Sequence, residues 1–197
     1  MIGFRLPTSG NTAVHSSSTG VLHNLNMTDS TTPTGCGQLP NPGETVHTDS
    51  LDHRFMHRAI ELARQCPPSS TAYSVGAVIV VDGVEIATGY SRETDEKVHA
   101  EESALNKLDA DDPRLARATI YSTLEPCSTR ATATRLPCTD RILAAGIPRV
   151  VIAWREPSLF VAACEGVDKL RTNDVEVVEL TDLAEAARSM NDHLDLS

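Results

Sequence analysis

The pattern of apolar and polar positions changes character near residue 50. Up to about residue 48 the chain is rich in Ser, Thr, Asn, Gly and Pro and shows no sustained apolar period. Such a stretch buries too little surface to offset its ordering entropy, so residues 1–48 are expected to form a disordered tail, with 49–197 as one folded domain. Met27 lies inside that tail, and translation starting there is an open alternative. From Ser50 onward Leu51, Phe55, Ala59, Ile60, Leu62 and Ala63 fall at helical spacing, with Ser50 or Asp52 as N-cap and an end before Cys66-Pro67-Pro68. Val75 to Val81 is an aliphatic run and reads as a buried strand; Asp82-Gly83 joins it to Val84–Tyr90 as a two-residue hairpin. A charged loop, 91–98, leads to a helix expected over His99–Leu108. Then come a strand at Ala118–Thr123, a loop at 128–136 and a helix at Thr139–Ala145 closed by Gly146. A strand at Arg149–Ala153, a helix from Val161 or Glu165 to Arg171, a strand at Val175–Leu180 and an amphipathic helix at Thr181–Met190 with Thr181 or Asp182 as cap complete the pattern. Strands that alternate with helices after an initial hairpin predict a central mixed sheet with helices on both faces.

Composition narrows the function classes. The hydrophobic content of 40% supports a core, but only 4% of residues are aromatic, so aliphatic side chains carry the packing. The formal net charge of −10 supplies no basic footprint for phosphate backbones, which argues against a nucleic-acid substrate. Five cysteines without a regular framework fit a reducing, cytoplasmic setting better than a disulfide scaffold. No apolar run approaches the ~20 residues of a membrane span. The N-terminus has no apolar segment of the secretory type, so neither a membrane partner nor export is expected.

The chemistry concentrates in His99-Ala100-Glu101 and in two cysteines that each follow a proline, Pro126-Cys127 and Pro137-Cys138. One imidazole and two thiolates make three ligands for Zn2+ with a fourth position open, which is the mark of a catalytic rather than a structural zinc. Glu101 is not needed as a ligand; a carboxylate there can take a proton from a water at the open position and hand it on. The zinc deaminases of nucleobases carry this arrangement as His-x-Glu followed by Pro-Cys-x-x-Cys. Here ten residues separate the cysteines instead of two. Cys138, at the start of a helix, has backbone N–H groups nearby that favour the thiolate. His53 and His57, four apart, have no further ligand at metal spacing and read as solvent-facing; Cys36 and His47 read as idle.

From about Phe55 onward the chain resembles the cytidine-deaminase superfamily, and within it the pyrimidine deaminases of riboflavin biosynthesis, especially the fungal type. The matching stretches are SVGAVIV from Ser74, ATGYSRE from Ala87, HAEESAL from His99, TLEPCSTR from Thr123, PCTDRILAAGI from Pro137 and REPSLFV from Arg155. The long segment between the cysteines, with Ser128 after the first and Arg130 beyond it, is similar to the fungal form. Glu96-Lys97 stands where those relatives usually have Gly-Asn, and Ala72-Tyr73 where bacterial ones have Asn-Pro. The resemblance implies a three-layer α/β cytidine-deaminase-like fold with a five-stranded sheet. It implies His99, Cys127 and Cys138 as zinc ligands and Glu101 as the catalytic acid–base. It implies hydrolytic deamination of 2,5-diamino-6-ribitylamino-4(3H)-pyrimidinone 5'-phosphate or its ribosylamino precursor, in a possible homo-oligomer; no reductase domain is expected after the deaminase domain in this sequence. The pocket walls implied are the backbone from Ser74 to Gly76 and the loop from Tyr90 to Val98. Arg130 is the leading candidate to hold a phosphate, with Arg92, Lys97 and Arg135 behind it. The alternatives are a cytidine, deoxycytidylate or specialised-metabolite pyrimidine deaminase and, from another class, an inactive zinc-stabilised binding module. The intact Glu101 argues against the last, since a structural zinc has no use for that carboxylate.

Overall fold

The computed structural model describes residues 50–130, 134–155 and 165–194. The expected tail, Cys36, His47 and most of the REPSLFV stretch lie outside the described residues. Helix α1 (Leu51–Ala63) starts at Ser50, whose side chain accepts from the His53 N–H. Asp52, the other candidate cap, instead accepts both terminal nitrogens of Arg149 at 2.9 Å and the Tyr121 hydroxyl at 2.8 Å. The helix buries Phe55, Met56, Ala59, Ile60, Leu62 and Ala63; Leu51, on the same stripe at the first position, is exposed.

Strand β1 (Gly76–Val81) is buried along its whole length. It turns through Asp82 and Gly83, at φ 51° and 76°, into β2 (Val84–Tyr90). Two successive left-handed residues are what the tightest right-twisted hairpin requires, and Asp-Gly supplies them at low cost. Strand β3 (Thr119–Leu124) pairs antiparallel with β1; β4 (Arg149–Trp154) and β5 (Glu176–Glu179) follow in parallel, giving the order β2-β1-β3-β4-β5. Each parallel step needs a crossover. Helix α3 (Cys138–Ala144) lies between β3 and β4, and α4 (Gly166–Thr172) lies between β4 and β5.

Two glycines show which helix covers which face. A Cβ on Gly76 would fall 2.0 Å from the Ala59 carbonyl oxygen of α1. A Cβ on Gly89 would fall 2.3 Å from the Ala100 oxygen of α2 (Ala100–Leu105). Gly89 pairs with Ala77, the neighbour of Gly76, and side chains alternate along a strand, so α1 and α2 press on opposite faces. Helices α3 and α4 continue the α2 layer, while α5 (Ala184–Arg188) packs beside α1. The result is the expected three-layer α/β architecture.

Two expected helices are cut short. Helix α2 stops at Leu105 rather than Leu108, because Lys107 and Leu108 close back on Ala104 and Leu105 in tight turns and the Lys107 ammonium reaches the Thr88 carbonyl oxygen. The single C-terminal helix is broken into a tight turn (Thr181–Leu183), α5 and a second tight turn (Ser189–Asn191). Asp182 does not cap it, since its carboxylate is 2.8 Å from His53 Nε2. The break delivers Asn191, 1% exposed, to the backbone of Ser74: its Oδ1 accepts the Ser74 N–H at 2.7 Å and its Nδ2 donates to the Ser74 oxygen at 3.2 Å. A further tight turn, Pro113–Arg117 behind Asp112, was not anticipated.

Candidate metal centre and active-site cleft

The three candidate ligands are held at element ends on the α2 side of the sheet. His99 is the N-cap of α2, with φ −90° and ψ 162°. Cys127 follows β3 after Glu125, whose N–H donates to the Trp154 oxygen at 3.0 Å, and Pro126. Cys138 is the first residue of α3, behind Pro137, whose fixed φ suits a helix start. The two helix starts and the end of β3 converge, so the ligand atoms of His99, Cys127 and Cys138 lie within 4.8 Å of one another. His99 Nδ1 is 3.5 Å from the Sγ of both cysteines. Tetrahedral zinc with bonds of about 2.05 Å to nitrogen and 2.3 Å to sulfur requires an N···S separation of about 3.5–3.6 Å. The donor set therefore fits a metal ion in both chemistry and spacing, and it leaves one coordination position for a non-protein ligand.

The surroundings favour the anion of Cys127 rather than that of Cys138, the thiolate expected from the helix start. The Cys138 N–H donates to Cys127 Sγ at 3.3 Å, and the Thr139 N–H donates to the Cys127 oxygen at 3.2 Å. The hydrogen bond from the Cys138 side chain and the adjacent His99 ring pull the Cys127 thiol well below its ordinary range. Cys138, holding the proton of that bond and fully buried, is pushed the other way. A cation that takes both sulfurs displaces that proton.

Glu101, second residue of α2, is 3% exposed and stands beside the three donors without joining them. Its Oε1 accepts from Ser122 Oγ at 2.9 Å and its Oε2 accepts from Cys138 Sγ at 3.3 Å. Burial raises its pKa against the opposing pull of His99. A desolvated carboxyl with an elevated proton affinity suits a group that must first take a proton and later return it.

A cavity of about 530 Å³ opens over this centre. Its wall contains His99, Glu101, Glu125 and Cys127, together with Tyr73, Val75, Ser91 and the 96–98 segment. Of the residues expected to touch substrate, Arg130 lines the cavity, whereas Ser74, Gly76 and Tyr90 do not. The reason lies in strand alternation and in prior engagements. Ser74 is locked to Asn191, the Gly76 N–H donates to Thr123 Oγ1 at 3.2 Å, and Tyr90 packs against the core. Their neighbours Tyr73, Val75 and Ser91 face the cavity instead.

The cationic residues also divide. Arg92, in the left-handed region at φ 66°, spends its guanidinium on the Pro67 and Tyr73 oxygens and on Ser74 Oγ, at 2.8–3.0 Å, and so braces the cavity wall. Arg130 and Arg135 donate to Glu102, at 2.8 and 3.4 Å. Lys97 lines the cavity with an exposed side chain that has no ion-pair or hydrogen-bond partner among the described residues. Glu102 is the residue that reading the sequence missed. An acidic pair in a first helical turn reads as a complement to the helix dipole. The available signal was the three arginines at 130, 135 and 141, which need a counter-charge in a small domain.

Comparison with known proteins gives the same outline. The family described as cytidine and deoxycytidylate deaminase zinc-binding region matches residues 49–154. The diaminohydroxyphosphoribosylamino-pyrimidine deaminase of Schizosaccharomyces pombe is 42% identical over 127 residues, covering 64% of this chain and 31% of that protein. The riboflavin biosynthesis protein RibD of Aquifex aeolicus is 36% identical over 146 residues, covering 72% of this chain and 38% of that protein. Among solved structures, a diaminohydroxyphosphoribosylaminopyrimidine deaminase/5-amino-6-(5-phosphoribosylamino)uracil reductase from Thermotoga maritima superposes with a TM-score of 0.61 at 35% identity, over 71% of this chain and 39% of that one. The Rib2 deaminase of Aspergillus oryzae, solved in complex with DARIPP, shares the fold at 23% identity and a TM-score of 0.55, over 74% of this chain and 100% of that one. The chain thus spans about a third of the length of these curated relatives. No helix among the described residues is long and apolar enough to cross a membrane. With its His-x-Glu turn and both cysteines inside the matched region, the chain belongs to the cytidine and deoxycytidylate deaminase zinc-binding family.

Proposed function

We propose that this domain catalyses the zinc-dependent hydrolytic deamination of a phosphorylated aminopyrimidine. The leading substrate is 2,5-diamino-6-ribitylamino-4(3H)-pyrimidinone 5'-phosphate or its ribosylamino precursor. The observation that carries the reading is the three-donor centre with Glu101 buried beside it, at the floor of a cavity large enough for a small ligand. A zinc ion held by His99, Cys127 and Cys138 would bring the pKa of a water in its open position toward neutrality. Glu101 then acts as the proton carrier. It accepts the proton of the attacking water, delivers it to the ring nitrogen next to the amine-bearing carbon, and assists proton transfer to the departing ammonia. Ser122 holds the Glu101 carboxyl in place from the sheet side. Water and the amine become a ring carbonyl and ammonia, with no redox change.

The names of the relatives support the substrate class, and the cavity chemistry is compatible with it. Lys97 and Arg135 bring positive charge to the wall of a protein whose net charge is −10. A local cation of that kind is what an anionic ligand needs in an acidic chain. The test is ammonia release by the purified full chain from a panel containing the diaminopyrimidinone 5'-phosphate, cytidine, deoxycytidylate and guanine. Much faster turnover of the riboflavin intermediate is expected. Fast turnover of cytidine or deoxycytidylate with none of that intermediate rejects the substrate while leaving the zinc chemistry in place; no turnover of any pyrimidine by the zinc-loaded chain rejects the enzyme.

A further inference from the structure

Glu102 has no part in the reaction set out above, yet it gathers three arginines. Its side chain is 4% exposed. Oε2 accepts from Arg130 Nη1 at 2.8 Å, and Oε1 accepts from Arg141 Nη2 at 2.7 Å and Arg135 Nη1 at 3.4 Å. Arg135 reaches onward with Nη2 to Asp95 Oδ2 at 2.9 Å. Glu102 lies on α2, three residues after His99; Arg141 lies on α3, three residues after Cys138. Arg130 and Arg135 belong to the segment between the two cysteines, and Asp95 belongs to the loop that enters His99. One carboxylate therefore joins the two metal-bearing helices to the chain that runs between the cysteines.

The charge count is informative. A single ion pair would neutralise a buried carboxylate, and an apolar substitute of similar size would often serve the fold as well. Among the described residues three guanidiniums face two carboxylates, Glu102 and Asp95, and Arg130 also faces the Cys127 and Cys138 sulfurs, so with a zinc ion balancing those sulfurs the cluster would keep a surplus positive charge at the cavity wall. Arg130 and Arg135 line the cavity, whereas Arg141 does not. The Arg130 side chain is only 6% exposed, and besides Glu102 it faces the sulfurs of Cys127 and Cys138. Guanidiniums in this state are oriented groups, because a long side chain gives up its rotamer freedom only where something fixes it.

We propose that Glu102 is a positioning residue for substrate selection: it fixes Arg130 and Arg135 at the cavity wall, in register with Glu101, so that a phosphomonoester on the ligand meets preset positive charge. The proposal rests on the deaminase reading for its substrate and on the hydrogen-bond geometry for its device. Glu102 touches neither the reacting atoms nor the three metal donors, so its effect reaches the substrate only through the arginines. Lost positioning appears as weaker ground-state binding of the phosphorylated ligand, in KM more than in kcat.

The experiment compares the zinc-loaded full chain with Glu102→Gln, which keeps the shape and removes the charge. Each is assayed on the phosphorylated aminopyrimidine and on the same compound lacking the phosphate. For the variant, KM for the phosphorylated compound should rise roughly tenfold, with kcat changed less than about threefold. Its kcat/KM for the unphosphorylated compound should stay as in the parent. Arg141→Gln, which removes the one arginine that is off the cavity wall, should shift KM in the same direction by less, and it serves as the reporter if Glu102→Gln does not fold. Equal losses on both compounds would make Glu102 a merely structural residue and overturn the proposal, as would an unchanged KM. Phenylglyoxal labelling with peptide mapping reads the clamp without any turnover: Arg130 and Arg135 should label slowly in the parent and faster in Glu102→Gln. Unchanged labelling rejects the clamp. Faster labelling in a chain that deaminates no pyrimidine keeps the clamp and removes the substrate reading instead.

Discussion

Tyr121 and Ser122 are consecutive on β3 and point to opposite faces of one sheet, and each gives its hydroxyl to a carboxylate. Tyr121 donates to Asp52 at 2.8 Å on the α1 face; Ser122 donates to Glu101 at 2.9 Å on the α2 face. The settings differ. Asp52 sits at the rim, half-buried, with two charge-assisted bonds from Arg149 that hold its carboxyl below the usual range. Around it the face is closed by apolar packing, including Phe55 against Tyr121 with ring centroids 5.3 Å apart. Glu101 is buried with no cationic side chain bonded to it among the described residues, and its pKa is raised. One carboxylate is arranged to stay ionised and hold the molecule together. The other has the raised proton affinity that a proton carrier needs. Two carboxylates, on the helices that cover opposite faces of one sheet, differ in proton affinity because burial and pairing differ.

Changes at the metal centre should separate the two faces most widely. Cys138→Ala removes one of three donors, so zinc content by metal analysis should fall from about one per chain to near zero, with activity lost alongside it. Prolonged chelation of the parent should do the same, and activity should return on adding zinc. Next is Ser122→Ala, which strips the Glu101 carboxyl of its sheet-side donor. Turnover should fall by roughly tenfold at unchanged zinc content, because a misoriented proton carrier loses part of its acid–base contribution. Its partner experiment is Tyr121→Phe, which should leave turnover unchanged and lower stability by about 1 kcal/mol, as measured by denaturant unfolding. Equal effects of the two variants on turnover would break the comparison.

Asp52→Asn, on the same face as Tyr121, should likewise act on stability alone, with a loss of about 1–2 kcal/mol from the charge-assisted bonds and no change in turnover. Its pH dependence has a definite sign. The folded pKa of Asp52 lies below the unfolded value of about 3.9. Its contribution is therefore fully present above that value and disappears as pH falls through the folded one. The stability difference between parent and Asp52→Asn should shrink on acidification; a difference that grows toward acid pH would reverse the assignment.

Much of this arrangement was legible in the sequence where a single local rule decides. Asp82-Gly83 fixes the hairpin, Gly146 at φ 67° ends α3, and Pro137 sets the start that carries Cys138. The His-x-Glu turn and the two prolyl-cysteines identified donors that the fold then brings within 4.8 Å. What escaped was decided by partners distant in sequence. Asp182 gives up capping for His53, 129 residues away, and the C-terminal helix breaks so that Asn191 can serve the backbone of Ser74. Ser74, Gly76 and Tyr90 sit in the expected stretches, but the alternation of side chains and their own hydrogen bonds turn them from the cavity and present their neighbours. Glu102 carries no signal of its own in the sequence, because the three arginines that converge on it are brought there only by the fold.

The central claim is that Glu101 carries protons and does not bind the metal. Zinc content and ammonia release from the diaminopyrimidinone 5'-phosphate, measured on one preparation of Glu101→Gln, test it directly. The account predicts about one zinc per chain, as in the parent, with turnover down by about 10²–10⁴-fold, since the amide cannot accept the proton of the attacking water. Parent-like turnover would remove Glu101 from the mechanism, and loss of the zinc would make it a ligand.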